Sequence, residues 1–422
     1  MALRATVYRT SDQPWAWCRA SLRSGVPRDS RRRCLMHRAK TIVATLAIAA
    51  VLSLGLSGLT ATPAAAAAIR SVAPTGSDTG DCIASPCHTI QYAVNQAAAG
   101  DTVMVATGTY AESVTVAKQL SLVGSGATID ATGHDNGVLI TGPASAGTVL
   151  RSFTIENASL EGVLAFQTTL LTIADNSILN NNTLWDPINV PLPCQTSDDC
   201  GEGLHLWSVT NSVLSGNLVE GNVGGILLTD DNFGPGGPII PPPGPTSGNR
   251  IENNQVLNNV KDCGITLASH YLSFTGSAPA ASGGVYGNTI SHNTSNGNGA
   301  AGIGIFAGPP GAAAYGNVVV GNTAMNNGLP GVAIHSHSPF QYVNDNVIAN
   351  NTLTGNGADP DAATGASAGI TVFSALIPIP HTIISANRIS DEHFGIFTVN
   401  AVMLSGLPSN KFESVAIPTS IN

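Results

Sequence analysis

Basic side chains are scarce in this 422-residue sequence, with 17 Lys and Arg against 26 Asp and Glu. Ten of the 17, from Arg4 to Lys40, precede Ile69, where the only acids are Asp12 and Asp29; the seven bases and 24 acids that remain carry a formal charge of −17. Nucleic acid and anionic membrane surfaces are bound mainly through Lys and Arg, so neither is expected as a partner, and an anionic sugar chain would need bridging cations. Aromatic residues are 5% of the chain and charged residues 10%, while Gly alone numbers 46. Aliphatic residues recur at fixed positions and supply a continuous core, so this composition points to a regular all-β stack and not to disorder.

The first 68 residues are of a different kind. A basic stretch, an apolar run over residues 41–59 and small residues over 61–68 with several Ala-x-Ala choices make an export signal, with Met36 an alternative start and a membrane anchor the competing reading. No Cys follows the apolar run in position to be lipidated, so the mature chain is expected to be secreted, with no stable membrane insertion, and to act as a monomer. Five cysteines remain. In an exported protein the close pairs Cys82/Cys87 and Cys194/Cys200 read as loop disulfides, with Cys263 left over as a small buried thiol.

The rest is organised by a repeat. Asn, any residue, Val or Ile, two residues, Asn begins at Asn176, Asn217, Asn254, Asn288, Asn317 and Asn346, and a seventh start at Asn387 ends in Glu392. After each copy comes Gly with an aliphatic residue, as in Gly203-Leu204, Gly225-Ile226, Gly264-Ile265, Gly302-Ile303, Gly331-Val332, Gly369-Ile370 and Gly395-Ile396. Period-two alternation marks strands too short to bury their own apolar face, and stacking of successive turns supplies the partner. Asn suits the corners, because it tolerates left-handed backbone and its amide can bond to the Asn above and below. The expected fold is all-β, a single-stranded parallel β-helix of about nine turns.

Residues 85–126 open this stack. Thr89 to Ala99 carries helical spacing (Ile90, Ala93, Val94, Ala97), so a short helix is expected to cap the open end of the core. The motifs Thr-Ile-Gln at Thr89, Gly-Asp-Thr at Gly100, Gly-Thr-Tyr-x-Glu at Gly108 and Leu-x-Gly at Leu122, followed by the Asn-rich repeats, resemble the pectin-lyase-like right-handed parallel β-helix superfamily. The resemblance covers residues 71–400 and implies a right-handed helix, but that superfamily spans lyases, hydrolases, esterases, epimerases and non-catalytic surface proteins. The organisation read from the chain is therefore a leader at 1–68, an N-terminal cap and first turns at 69–130, repeats at 131–400 and a C-terminal tail at 401–422.

Insertions flank one strand per turn, at 182–202, 294–301, 323–330 and 352–368 before it, and at 230–248, 269–286, 307–315, 336–343 and 374–381 after it. They would wall a groove, and function concentrates on such loops. Alternation points His205, Trp207, Thr229, Phe306, His335 and Phe373 outward, with Asp230, Asp231, His270 and His337 just past the strand ends. Aromatic faces stack on sugars and ionisable groups move protons, so His205, Trp207, Phe306, His335, His337 and Phe373 are candidate glycan contacts.

Asp230, Asp231 and His270 are the candidate catalytic residues, since hydrolysis needs paired carboxylates and an Asp can orient a neighbouring His. Thr229-Asp230-Asp231 with His270 is similar to the Asp-Asp and His of polygalacturonase-type hydrolases, although Asn-Thr-Asp, Gly-His-Gly and Arg-Ile-Lys are absent, as is the Gln-Asp-Thr-Leu of pectin methylesterases. Local turn formation explains the same acidic pair, and calcium at Asp230, Asp231 and Asn232 is the one cofactor the residues suggest. His335 and His337 could ligate a metal, but no third ligand is fixed in sequence. Polysaccharide recognition with cleavage, a non-catalytic adhesive scaffold, and a calcium-dependent lyase or epimerase are the readings the sequence leaves open.

Overall fold

The computed structural model describes residues 66–182, 201–230, 244–272 and 283–422, and the backbone of Phe233–Gly234 and Gly237–Pro238. Nearly all of the leader, and Cys194, Cys200, Asp231 and Asn232, lie outside the described residues. No described helix is long and apolar enough to cross a membrane.

The expected helical cap is α1 (Ile90–Gln96), where the Thr89 hydroxyl accepts from the Tyr92 N–H and the Glu112 carboxylate accepts from the N–H groups of Ile90 and Gln91. These are first-turn donors with no partner inside the helix, which is why an acid is useful there. Ile90, Ala93 and Val94 face down into the core, and Cys82 and Cys87 form the expected disulfide beside them.

One wall of the solenoid is an 11-stranded parallel sheet. Its strands are β1 (Val114–Val116), β2 (Asn136–Thr141), β3 (Glu161–Phe166), β4 (Glu202–Trp207), β5 (Gly224–Thr229), β6 (Ile265–Ser269), β7 (Ile303–Ala307), β8 (Val332–Ser336), β9 (Ala368–Ser374), β10 (Phe394–Val399) and β11 (Ile417–Ile421). Eleven rungs stand where about nine were expected. Part of the difference is the supposed tail, whose strands Lys411–Glu413 and Ile417–Ile421 pair in parallel with the rung before them. The other walls join into a 20-stranded sheet, and almost all its pairings too are between successive turns.

Alternation on this wall is as read from the sequence. Leu204, Leu206, Ile226, Leu228, Ile265, Leu267, Ile303, Ile305, Val332, Ile334, Ile370 and Val372 all lie in the single core, none more than 1% exposed. The repeat glycines in front of them are needed for packing. A Cβ on Gly225 would sit 2.1 Å from the Gly264 carbonyl oxygen and 2.4 Å from Val256, so the chain can cross the core end there only without a side chain.

The Asn copies form ladders, but the sequence frame slips against the structure. Asn176, Asn217, Asn254, Asn293, Asn322, Asn351, Asn387 and Asn410 make one ladder; Asn181, Asn222, Asn259, Asn298, Asn327, Asn356 and Glu392 make a second. Asn249, Asn288, Asn317 and Asn346 make a third. A unit of five residues that repeats within a turn fixes the spacing of Asn but not which copy stacks on which. For the same reason Thr294–Asn296, Thr323–Met325 and Thr352–Thr354, assigned to insertions from the sequence, are strands of the second wall.

Nor are the ladder Asn residues the left-handed corners. Those are the residues just before them, Asp175, Gly216, Asn253, His292, Gly321, Asn350 and Ala386, with φ between 54° and 68°. Asn is required one position later for its amide: the oxygen of Asn254 accepts from both the backbone N–H and Nδ2 of Asn217, while its own Nδ2 donates to the Leu214 carbonyl and to Asn293. Every buried donor at the corner is thereby satisfied.

Candidate functional site

The outward side chains of the 11-stranded sheet line up in one row of cross-strand partners: Phe166, Trp207, Thr229, Ala268, Phe306, His335 and Phe373, one per rung from β3 to β9. Phe166, Trp207, Phe306 and Phe373 are half-buried, each keeping part of its surface in solvent, whereas Thr229 and Ala268 are covered. The rings therefore stand in two groups, Phe166 with Trp207 (centroids 4.7 Å apart) and Phe306 with Phe373 across His335.

Between the groups lies the pair singled out for catalysis. Asp230 is fully buried, and its carboxylate accepts from the Ser269 hydroxyl (3.0 Å), the His270 backbone N–H (2.9 Å) and the Gly284 N–H. An acid bonded in this way fastens the turns after β5 and β6 together. The contact with His270 runs through its main chain, and the His270 ring lies by the Thr229 hydroxyl (3.5 Å) and 5.8 Å from the Phe306 centroid. The expectation that alternation would leave these groups side by side on an open floor overlooked the turn past β5, where Asp230 is buried against Ser269, His270 and Gly284. Asp231 and Asn232, the other members of the expected acidic and calcium-binding set, lie outside the described residues.

At the first ring group, His205 is 4% exposed, with Nδ1 3.2 Å from Glu161 Oε1 and its ring nearly parallel to that of Trp207 at 6.1 Å. Glu202, at the start of the same strand, completes a buried cluster whose ligand-type atoms lie within 4.8 Å of one another. His205 thus stands beside Trp207 on the same side of the strand. Neither acid was singled out from the sequence, because Glu161 meets His205 only through the pairing of β3 with β4.

The second ring group holds the densest chemistry. His335 and His337 are two residues apart on the extended chain leaving β8, so both rings project to the outer side, 5.4 Å apart, and each packs against Phe373 (5.6 and 5.7 Å); His337 also meets Phe306 at 5.3 Å. The loop between the strand Thr352–Thr354 and β9 brings in two carboxylates. Asp359 Oδ2 is 2.7 Å from His335 Nε2, with the acid only 1% exposed, and Asp361 Oδ2 lies 3.7 Å from His335 Nδ1 and 3.8 Å from His337 Nε2.

Burial by itself would push the Asp359 carboxyl up; the His335 hydrogen bond and charge, with the Ala362 and Asp361 N–H groups, bring it below the usual carboxylate value. Ionised Asp359 can only accept, so it holds a proton on His335 Nε2, and in the neutral ring the lone pair is then on Nδ1. Burial, and then the neighbouring His335, lower His337 despite the pull of Asp361 and Asp359, which keeps it a neutral imidazole at neutral pH. The backbone is held too: the Gln341 side chain accepts from the Ser336 hydroxyl and the N–H groups of His337 and Ser338, and donates to the Ala307 carbonyl.

Asp359 and Asp361 sit in a segment rich in Ala and Gly that reads as a plain turn. The signal that was available is the spacing His-x-His on an outward strand, which asks for a third partner; the loop that supplies it is separated from His335 by 24 residues.

Residues 124–278 match the family model described as a right handed beta helix region. No curated protein matches the chain. Among solved structures, the chain is similar to the A-module of a mannuronan C-5 epimerase from Azotobacter vinelandii (15% identity, 79% of this chain and 91% of that one, TM-score 0.47). It is also similar to PfbA, a surface adhesin of Streptococcus pneumoniae (12%, 78% and 88%, TM-score 0.47), and to a family 28 exopolygalacturonase of Yersinia enterocolitica (10%, 84% and 77%, TM-score 0.44). Likeness at this level carries no information on activity.

Proposed function

We propose that this chain, a right-handed parallel β-helix of the pectin-lyase-like superfamily, is exported and holds an extended polysaccharide across the outer face of its 11-stranded sheet. The observation that carries the reading is the row of cross-strand partners with half-exposed rings at Phe166, Trp207, Phe306 and Phe373. A row perpendicular to the strands runs along the solenoid axis, which is the direction in which a long polymer can contact successive rungs. Aromatic faces bind the apolar faces of sugars, and the small number of polar groups beside them sets orientation.

Chemistry on the bound chain is assigned to the second ring group, beside His335, His337 and Asp361, and not to Asp230, whose oxygens are engaged by the protein. His337 there is a neutral base, and Asp361 is a carboxylate that remains 61% exposed.

The test is a panel of plant, bacterial and algal polysaccharides run in affinity electrophoresis and in product analysis by mass spectrometry. Retardation by at least one polymer, lost in a Trp207→Ala, Phe306→Ala double variant, is the expected result. Products with added water mark a hydrolase and unsaturated ends a lyase; binding without products makes the protein an adhesive module. Failure of every polymer to retard the protein sinks the proposal.

A further inference from the structure

We infer that His335, His337 and Asp361 form a three-ligand site for a divalent first-row transition metal, opening onto the outer face of the sheet between Phe306 and Phe373. The inference stands on the donor geometry and holds whether or not a glycan binds there.

Three ligand atoms converge. His335 Nδ1, His337 Nε2 and an Asp361 oxygen lie within 4.8 Å of one another, and the Asp361 oxygen is 3.7 and 3.8 Å from the two nitrogens. Ligands of a tetrahedral ion at about 2.0–2.1 Å stand about 3.3 Å from each other, so closure requires the two Asp361 contacts to shorten by a few tenths of an ångström and the two ring nitrogens, which lie within 4.8 Å, to reach the same spacing. Asp361 can supply the first movement, being exposed and on a loop, while Phe373 packs on both imidazoles and Gln341 holds their backbone, so the rings approach by small rotations.

The orientation of the nitrogens is the second argument. His335 gives its Nε2 to Asp359, a buried acid at 2.7 Å, so that Nδ1, which carries the lone pair in the neutral ring, is the nitrogen facing Asp361 at 3.7 Å. An outer carboxylate that fixes the tautomer of an imidazole in this manner is what metal-ligating histidines need, because it sets the ring and raises its basicity. His337 Nε2 is itself buried and has no hydrogen-bond partner among the described residues. A buried ring nitrogen without a partner is costly in a protein interior, and a metal ion would satisfy it. If the cluster served only as an ion-pair network, Asp359 alone would suffice for His335 and nothing would account for that nitrogen.

Ligand type narrows the ion. Two imidazoles and one carboxylate suit zinc, cobalt, nickel, manganese or ferrous iron, whereas calcium and magnesium prefer oxygen sets. With three protein ligands, a position remains for water or for an oxygen of a bound molecule, as in open sites.

The experiment uses purified protein without an affinity tag, stripped with a chelator and dialysed. Cobalt is titrated in while visible d–d absorption is followed, and zinc binding is measured by calorimetry. One equivalent is expected, with an absorption band that disappears in His337→Ala and in Asp361→Ala, and with affinity weakened about 10–100-fold in Asp359→Asn. His88→Ala, a change at the capped end of the solenoid, should bind as the unaltered protein does. Asp361 is exposed, so its variant retains the fold, checked by circular dichroism, even where a histidine variant does not. No cobalt band, or a band and a zinc affinity unchanged in Asp361→Ala and His337→Ala, overturns the inference; the latter result would place the ion elsewhere on the protein.

Discussion

Asn254 stacks on Asn293, with its Nδ2 3.0 Å from the Asn293 oxygen, and not on Asn288, the residue that begins the next copy of the repeat. The stack is chosen by hydrogen bonding between turns. Replacing Asn254 by Ala removes the acceptor for the backbone N–H and Nδ2 of Asn217 and the donor to Leu214, all of them buried. Each unsatisfied buried group costs about 1–3 kcal/mol, so Asn254→Ala is expected to lower unfolding stability by roughly 3–5 kcal/mol in chemical denaturation. A loss under 1 kcal/mol would show that the ladder is decorative.

A strand glycine and a left-handed corner should respond oppositely to substitution. At Gly225 the backbone of the next rung leaves no room for a methyl group, and Gly225→Ala is expected to cost about 3 kcal/mol or more, or to prevent folding. At Ala386, held at φ 54° with no side-chain bond to compensate, Ala386→Gly should stabilise by about 1 kcal/mol, since a left-handed L-residue is strained by roughly that amount. Thermal unfolding of both variants measures the signs.

Two carboxyls give pH dependences of opposite sign. Glu392 ends the second ladder, accepting from the N–H and Nδ2 of Asn356, and burial raises it above 4.5 although those donors pull it down. Its contribution to stability is therefore complete below pH 4.5 and is lost as the pH rises through the raised folded value. Glu392→Gln keeps an acceptor oxygen and removes the charge, so it should be as stable as the unaltered protein in acid and more stable at neutral pH. Asp359, lowered below 3.8, contributes above that pH, and its contribution fades as acid takes the pH down through the folded value. Asp359→Asn should flatten that acid limb. Denaturation midpoints from pH 3 to 8 decide both, and a neutral-pH gain absent from Glu392→Gln would remove the first.

For glycan binding, each half-buried ring should count separately because Trp207 and Phe306 are three rungs apart. Single Ala substitutions at Trp207, Phe306 and Phe373 are each expected to weaken binding by about 1–2 kcal/mol, roughly tenfold, with the fold intact by circular dichroism. His205→Ala should act through Trp207, raising the dissociation constant less than loss of the ring itself, since the imidazole is buried and stands alongside it. Affinity electrophoresis in a retaining polymer reads all four, and equal mobility throughout would disconnect the ring row from binding.

Much of this architecture is a local property of the chain. Alternation placed Leu204, Leu206 and their counterparts inward and Trp207, Phe306, His335 and Phe373 on the outer side, and the close spacing of Cys82 and Cys87 was enough to pair them, because strand period and short-loop closure need no knowledge of distant residues. Glu392 also declared itself, as the one departure from Asn in an otherwise uniform series.

Registration between turns was decided only by the tertiary structure. A five-residue spacing is compatible with Asn254 over Asn288 or over Asn293, and the choice rests on which arrangement pairs whole strands and satisfies every amide. The site has the same origin: Asp359 and Asp361 look like a turn in sequence, and become partners of His335 and His337 because their loop folds over the strand leaving β8. Asp230, prominent in the sequence, is drawn into the turn above by the N–H groups of His270 and Gly284. In a solenoid, local pattern fixes what each residue faces, and the length of each loop decides what comes to face it.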